Sequence, residues 1–191
     1  MLTVAIDFKA PACYLALEPT LDLVRETGVP IDWLPFAVRP FSIPEEKPGE
    51  TVGERHRRVR AIAQRDAHLH YAAIQGLPMH FAKIPAGSET ALAALAGIDG
   101  DPAPFLRAAF AAYWSEQSDL DDEAVVLALL SSVQMTCPDL KAAREKLLSI
   151  RARAEESGIF ESPSYLIADQ LFVGRENLPW IRSLIDAAPV R

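Results

Sequence analysis

The stretch Leu2-Thr3-Val4-Ala5-Ile6-Asp7-Phe8-Lys9-Ala10-Pro11-Ala12-Cys13 decides how the chain begins to fold. Its first part, Leu2 to Phe8, is apolar and contains β-branched residues, which predicts a buried strand. Ala10-Pro11 then starts a helix, because proline is tolerated in a first turn where no backbone donor is needed. Ala10 and Cys13 have the spacing of a Cys-x-x-Cys active site whose leading position holds alanine. A single thiol cannot form a disulfide within this motif, so dithiol chemistry through it is excluded.

A second informative stretch, Gly158-Ile159-Phe160-Glu161-Ser162-Pro163-Ser164-Tyr165, precedes two predicted short strands, 164–168 and 170–173. Pro163 either opens a strand or follows a cis bond. In the second case the backbone of Ser162 would be exposed and could pair with an extended peptide such as glutathione. Gly174-Arg175-Glu176-Asn177 begins the last helix, either as an ordinary helix start or as a set of N–H groups that bind a carboxylate.

The order of predicted elements is βαβ, a block of helices from about Thr51 to Gly158, and then ββα. The second strand is expected over 31–36. The first helix of the block is expected to bury one stripe, and Asp121 is expected to cap a later helix with Asp122 and Glu123 in its first turn. The residues predicted to form that stripe are Val59, Ile62, Ala63, Leu69 and Ala73. The pattern indicates an α/β sheet domain over 1–45 and 155–191, interrupted by a helical domain over 46–154.

Composition limits the class of protein. The chain has 191 residues, half of them hydrophobic, and a net charge of −7. That charge argues against sequence-independent binding of nucleic acid, and no apolar run approaches the ~20 residues of a membrane span. The first residues enter a strand without a secretion signal, which favours a cytoplasmic protein. Cys13 and Cys137 are then expected as free thiols.

Two further features each admit two interpretations. Cys13 is either a small hydrophobe packed in the first helix or a thiol near the sulfur of a bound ligand. The basic run from Arg55 to Arg60, with Arg65, is either a solvated helix face or a guide for an acidic substrate. His68 and His70 are two residues apart and would lie on different helix faces, and no histidine has metal-ligand spacing to the cysteines. We therefore expect no metal site.

Three segments resemble one family over nearly the whole chain. Residues 7–16, Asp-Phe-Lys-Ala-Pro-Ala-Cys-Tyr-Leu-Ala, resemble the Asp-Phe-x-Ser-Pro-x-Ser-Tyr-Leu-Ala opening of the 2-hydroxychromene-2-carboxylate isomerases. Residues 105–122 and 158–178 are similar to that family's Phe-Arg-Ala-x-Phe … Asp-Ile-Ser-Asp segment and to its Gly-Val-Phe-Gly-Val-Pro-Thr-Phe … Leu-Phe-x-Gly-Gln-Asp-Arg-Leu segment. These isomerases are relatives of the kappa-class glutathione transferases in the DsbA-like thioredoxin superfamily.

The resemblance implies an α/β thioredoxin-like fold with a large inserted all-helical domain, a homodimer, and glutathione as cofactor. It also implies roles for individual residues. Ala10 takes the place of the serine that hydrogen-bonds the glutathione sulfur, and the backbone of Ser162 would pair with the cysteinyl unit. The γ-glutamyl end would lie near Glu176 and Asn177. The expected catalytic positions are therefore Ala10 and Cys13, and the expected glutathione-binding residues are Pro11, Ser162, Pro163, Arg175, Glu176 and Asn177.

The chain departs from the family at Ala10 for serine, Glu161 for glycine, Ser162 for valine and Asn177 for arginine. Three functions follow from these observations. The first is a glutathione-dependent isomerase or transferase acting on a small aromatic or conjugated carboxylic acid. The second is a non-catalytic binding protein that keeps the pocket. The third is a one-thiol oxidoreductase that works through Cys13.

Overall fold

A four-stranded mixed sheet forms the centre of the protein in the computed structural model, which describes residues 1–82 and 86–187. The strands lie in the order β2-β1-β3-β4. β1 is parallel to β2 and antiparallel to β3, and β3 is antiparallel to β4. Their bounds are Leu2–Ile6 for β1, Ile31–Pro35 for β2, Ser164–Ile167 for β3 and Gln170–Val173 for β4. The predicted α/β class is confirmed.

Helix α1, Pro11–Thr27, connects β1 to β2 and ends where Gly28 adopts a left-handed conformation with φ 68°. The Gly28 N–H bonds to the Val24 carbonyl, a common way to satisfy the last carbonyls of a helix. After β4 a short 3-10 turn, Arg175–Asn177, leads into the last described helix, Leu178–Ala187, which packs against α1. The N-terminal and C-terminal segments that form the sheet are therefore also in contact through α1 and this last helix.

In the described residues between β2 and β3 there are five helices: α2 (Val52–Ile74), α3 (Glu89–Gly97), α4 (Ala103–Ser115), α5 (Glu123–Ser132) and α6 (Leu140–Glu156). The last described helix is therefore α7. Buried side chains of the sheet, of α1 and of the inserted helices form one continuous hydrophobic core. The expected domain boundaries, 46–154 for the insertion and 1–45 with 155–191 for the rest, stay a prediction, because the two parts share this core.

The buried stripe predicted for α2 is wrong in its phase. Val59 is 54% exposed and Leu69 is 37% exposed, while the helix buries Ala61 and Ala72 and half-buries His68. These inward positions follow helical spacing, but most carry small or polar side chains. Burial on this helix is therefore set by close packing of small residues and not by the apolar pattern.

The predicted cap at Asp121 is also wrong by one residue. Asp122 caps α5, and its carboxylate accepts a hydrogen bond from the Ala124 N–H. Asp121 instead accepts from the N–H groups of Glu89 and Thr90, at the start of α3.

Within the described ranges no helix is long and apolar enough to cross a membrane.

Candidate functional site

A groove of about 440 Å³ opens beside the N-terminus of α1. Its floor is the start of α1, and its walls are the loop before β3, the end of β4, the loop after β2, and one face of α2. The residues that line it are Ala10, Pro11, Ala12, Val38, Arg39, Phe41, Gln64, His68, Glu161, Ser162, Pro163, Val173, Gly174 and Glu176. The groove thus brings together segments from both ends of the sequence and from the inserted helices.

The floor of the groove is the uncapped start of a helix. Ala10 is the N-cap residue of α1 and has no side chain that could satisfy the first N–H groups. Pro11 has no N–H, and Cys13 and Tyr14 donate to the Ala10 carbonyl. Among residues 1–82 and 86–187 no acceptor is recorded for the Ala12 N–H. A donor at the positive end of a helix dipole therefore borders the groove, an arrangement that favours an anion.

The loop before β3 forms the opposite wall, and the Ser162-Pro163 bond is cis, the second of the two alternatives expected for Pro163. The Ser162 N–H donates to Glu161 Oε1 at 3.1 Å, and the Ser162 hydroxyl donates to the Phe36 carbonyl at 3.1 Å. The Glu161 carboxylate therefore occupies the backbone donor that an extended ligand would use on this wall.

The end of β4 completes the groove. Gly174 has φ 90°, and a Cβ there would overlap the Glu176 carboxylate, so this turn requires glycine. The Asn177 side-chain amide donates to the Val173 carbonyl at 2.7 Å and to the Gly174 carbonyl at 3.3 Å. Arg175 places its guanidinium 4.6 Å from the centre of the Tyr71 ring on α2. Asn177 and Arg175 thus hold the turn and attach it to α2.

Most of the predicted site residues meet in this groove. Ala10, Pro11, Ser162, Pro163 and Glu176 line it. The predicted residues Arg175 and Asn177 are not among its lining residues and flank it instead.

Cys13 does not reach the groove, so the structure corrects the interpretation of this residue as an accessible thiol. Its side chain is 1% exposed, and the side chains around it belong to the core, including Ile6, Leu17 and Tyr165. Burial raises the pKa of the Cys13 thiol well above its usual value. A buried thiol with a raised pKa is a poor nucleophile. Cys13 is therefore a core residue, and Cys137 is exposed on the surface far along the sequence.

Sequence reasoning missed the contribution of α2 and of the loop after β2. Gln64 and His68, four residues apart on one side of α2, both line the groove. The His68 ring meets the Phe41 ring edge to face, with ring centres 6.2 Å apart. Burial, with a smaller contribution from the charge of Arg175, lowers the pKa of His68. The imidazole is therefore neutral near neutral pH. The spacing of Gln64 and His68 could have signalled a shared face, but only the fold shows what that face meets.

Three of the five arginines in the basic run on α2 form ion pairs. Arg58 binds Glu46 and Glu50, and Arg55 also binds Glu50. Arg65 pairs with its neighbour Asp66. This favours the interpretation of the run as a solvated helix face. As predicted, His68 and His70 lie on different faces, the first half-buried at the groove and the second exposed. No metal-binding group of three or more His, Cys, Asp or Glu side chains occurs in the described part of the chain.

Comparison with known proteins defines the class. Residues 1–186 match the family described as the DSBA-like thioredoxin domain. The chain belongs to this family, which confirms the thioredoxin-like fold expected from the resemblance.

Two isomerases are among the similar proteins. The chain is 29% identical over 189 residues to a 2-hydroxychromene-2-carboxylate isomerase of Sphingobium xenophagum, covering 94% of each chain. It superimposes on the structure of a 2-hydroxychromene-2-carboxylate isomerase with a TM-score of 0.74 and 20% identity, covering 97% of this chain and 94% of that one. The resemblance to these isomerases is therefore confirmed over nearly the full length.

A third similar structure was determined with GSH. It is the cytosolic disulfide reductase DsbM of Pseudomonas aeruginosa, with a TM-score of 0.61 and 18% identity, covering 97% of this chain and 96% of that one. At this identity the likeness concerns the fold alone.

Proposed function

We propose that the protein is a glutathione-dependent isomerase or transferase acting on a small aromatic or conjugated carboxylic acid. One observation carries the proposal: a single groove holds the Ala12 N–H at the start of α1, which has no acceptor among the described residues, together with the Ser162 backbone and the turn at Gly174. Its volume of about 440 Å³ lies within the roughly 300–1,000 Å³ range of small-molecule sites. The isomerase relatives and the DsbM structure with GSH support the assignment.

The residues present fit glutathione at three places. The Ala12 N–H and the α1 dipole would stabilise a sulfur anion, although Ala10 adds no hydroxyl donor. The Ser162 backbone would pair with the cysteinyl unit once Glu161 releases its N–H, and Glu176 and Arg175 would lie toward the γ-glutamyl end. Bound glutathione would supply a thiolate that adds reversibly to the conjugated substrate, permits bond rotation and leaves.

The walls of the groove also suit a flat co-substrate. Phe41 lines the groove and packs against Phe81, with ring centres 5.2 Å apart, and Phe81 packs against Trp114 at the same distance. Of these three rings only Phe41 lines the groove, where it offers a surface on which a conjugated compound can stack, with Phe81 and Trp114 packed behind it. Arg39, exposed on the rim, would attract its carboxylate. A homodimer, which the resemblance implies, and a cytoplasmic location belong to this proposal as well.

The proposal is tested by the thermal midpoint of the protein in a glutathione titration. Ligand at 100 times its Kd adds ~2.7 kcal/mol to the free energy of unfolding. For a domain of this size that is a rise of roughly 5–10 °C. A saturable rise, followed by turnover of a chromene-type acid that requires glutathione, supports the proposal. A midpoint that stays flat up to millimolar glutathione contradicts it.

A second candidate, a binding protein without catalysis, is favoured by two observations. Ala10 has no donor for a sulfur anion, and Glu161 occupies the Ser162 N–H. The Ala10→Ser variant separates the two functions. An enzyme with a weakened site gains rate, by as much as the roughly 10²–10³-fold that one such donor contributes elsewhere. A pocket used only for binding gains none.

The third function, one-thiol oxidoreductase chemistry, is disfavoured by the burial of Cys13. Incubation with oxidised glutathione under native conditions, followed by intact mass measurement of wild type and Cys137→Ser, checks this. We expect no mixed disulfide in the Cys137→Ser variant. Modification of Cys13 in the folded protein would restore that function.

A further inference from the structure

His68 is a half-buried side chain for which the proposed function so far gives no role. It lies on α2 and lines the same groove as Ala10 and Pro11. In the described part of the chain neither of its ring nitrogens has a hydrogen-bond partner, and no buried side-chain polar atom is left unsatisfied, so neither nitrogen is fully buried. Phe41 packs against the ring edge to face. A neutral imidazole has one nitrogen that donates and one that accepts, so one nitrogen can accept a proton.

We propose that His68 accepts the proton of a thiol bound in the groove, where Ala10 offers the sulfur no hydroxyl donor. The inference rests on the proposed function, because it names the group that would ionise the glutathione thiol. His68 takes the proton as the S–H bond breaks, and the electron pair stays on the sulfur. The resulting imidazolium returns this proton to the same sulfur when the cycle closes. Nothing is oxidised or reduced, and no further reactant is needed.

The charges around the groove suit this exchange. Arg175, attached to α2 through Tyr71, is close enough to disfavour the protonated imidazole before a thiol ionises. Arg175 flanks the groove, and the charged residues that line it are Glu161 and Glu176 on the opposite walls and Arg39 on the rim. Once the sulfur is an anion, its charge stabilises the imidazolium, as in other thiol–imidazole pairs. At the floor the sulfur anion accepts a hydrogen bond from the Ala12 N–H of α1. The proton is then held by His68 on α2, and the sulfur with its electron pair is held by α1.

The test measures the ionisation of bound glutathione directly. The ultraviolet absorbance of the thiolate is titrated against pH for wild type and for His68→Gln, with S-methylglutathione as the ligand that cannot ionise. His70→Gln is the matched control, because His70 lies on the same helix but is exposed and does not line the groove. Glutathione affinity is measured in parallel by calorimetry, which also shows that each variant is folded.

We expect wild type and His70→Gln to ionise bound glutathione at least about one pH unit below the ordinary thiol value of about 8.5. In His68→Gln the midpoint should move up by about one unit, with affinity for glutathione changed less than about threefold. Adding Ala10→Ser to His68→Gln should restore much of the shift. Equal midpoints in wild type and His68→Gln, with binding intact, would overturn this inference alone. No binding of glutathione to wild type would overturn the proposed function and this inference with it.

Discussion

At the turn between β1 and α1, the Asp7 carboxylate is fully buried and accepts four hydrogen bonds. The donors are the Lys9 N–H and ammonium, the Ser88 hydroxyl and the Val38 N–H. A buried charge is tolerated only when it is paired and hydrogen-bonded, and here the Lys9 ammonium lies 2.7 Å away. This network ties the groove floor to the loop after β2 and to the start of α3.

Replacing Lys9 by methionine should therefore destabilise the protein strongly. The variant keeps most of the side-chain volume but leaves the Asp7 charge buried without its partner. We expect the free energy of unfolding to fall by about 3–5 kcal/mol in chemical denaturation. Lys141→Met, at an exposed position, is the control and should change it by less than about 0.5 kcal/mol. The double variant Asp7→Asn with Lys9→Met should recover part of the loss; a Lys9→Met variant as stable as the control contradicts the argument.

Glu161 should weaken the binding of a peptide-like ligand. Its carboxylate holds the Ser162 N–H at 3.1 Å and adds negative charge to a groove proposed to receive anionic glutathione. Glu161→Ala frees the donor without changing the backbone. We expect glutathione to bind about three- to tenfold more tightly to this variant, as measured by calorimetry. Glu155→Ala, an exposed carboxylate outside the groove, should leave the affinity unchanged. Weaker binding in Glu161→Ala would mean that the carboxylate contacts the ligand.

At the scale of the elements, Asp121 shows how one helix can be capped from another segment. Its carboxylate accepts from the Glu89 N–H at 2.5 Å and from the Thr90 N–H at 3.4 Å, although it precedes α5 in the chain. Ser88, the N-cap residue of α3, makes no cap of its own, because its hydroxyl donates to Asp7. A Cβ at Gly87 would overlap the Asp121 carboxylate, so this approach requires glycine. The start of α3 is thus satisfied by a distant residue.

Truncating Asp121 should destabilise α3 and leave the cap of α5 in place. For Asp121→Ala we expect a loss of about 1 kcal/mol in the free energy of unfolding, the usual cost of an N-cap. Hydrogen exchange should rise first at the amides of Glu89 and Thr90. Asp99→Ala, an exposed carboxylate with no recorded hydrogen bond in the described residues, is the control. If the exchange of α5 rises while that of α3 does not, the cross-cap is contradicted.

The sequence predicts those elements whose local signals agree with their packing. The Pro11 start and Gly28 end of α1, and the two strands after Pro163, appear as expected, because proline, glycine and alternation act within a few residues. The phase of α2 was not predictable in this way, since Ala61 and Ala72 are buried by close approach of the rest of the fold while Val59 stays exposed.

The same distinction between local signals and tertiary packing applies to the residues of the candidate site. Residues next to the two motifs were named from sequence, whereas Gln64 and His68 reach the groove through packing of segments that are far apart in the chain. Tertiary packing decides such contacts, and a hydrophobic pattern does not encode them.

At the scale of the whole molecule, aromatic side chains connect the sheet to the inserted helices. Phe8, in the turn after β1, packs against Phe110 and Phe105 of α4, with ring centres 5.0 and 5.9 Å apart. Tyr14 of α1 stacks on Phe110 at 5.8 Å, and the Trp114 indole N–H donates to the Phe8 carbonyl at 2.9 Å. The floor of the groove therefore rests on α4, and the thioredoxin-like part and the insertion should unfold together.

This coupling predicts the effect of removing the ring that both parts share. Phe110 is fully buried, so Phe110→Ala should lower the free energy of unfolding by about 3–5 kcal/mol. Native-state hydrogen exchange then reports how the loss is distributed: peptides from β1 and β3 and peptides from α4 should lose protection by the same free energy, because one core opens in one step. Leu148→Ala, at a 67% exposed position on α6, is the control. It should change neither the free energy of unfolding nor the hydrogen-exchange protection. Loss of protection in α4 alone, with the strands unchanged, would show instead that residues 46–154 form a separately unfolding domain.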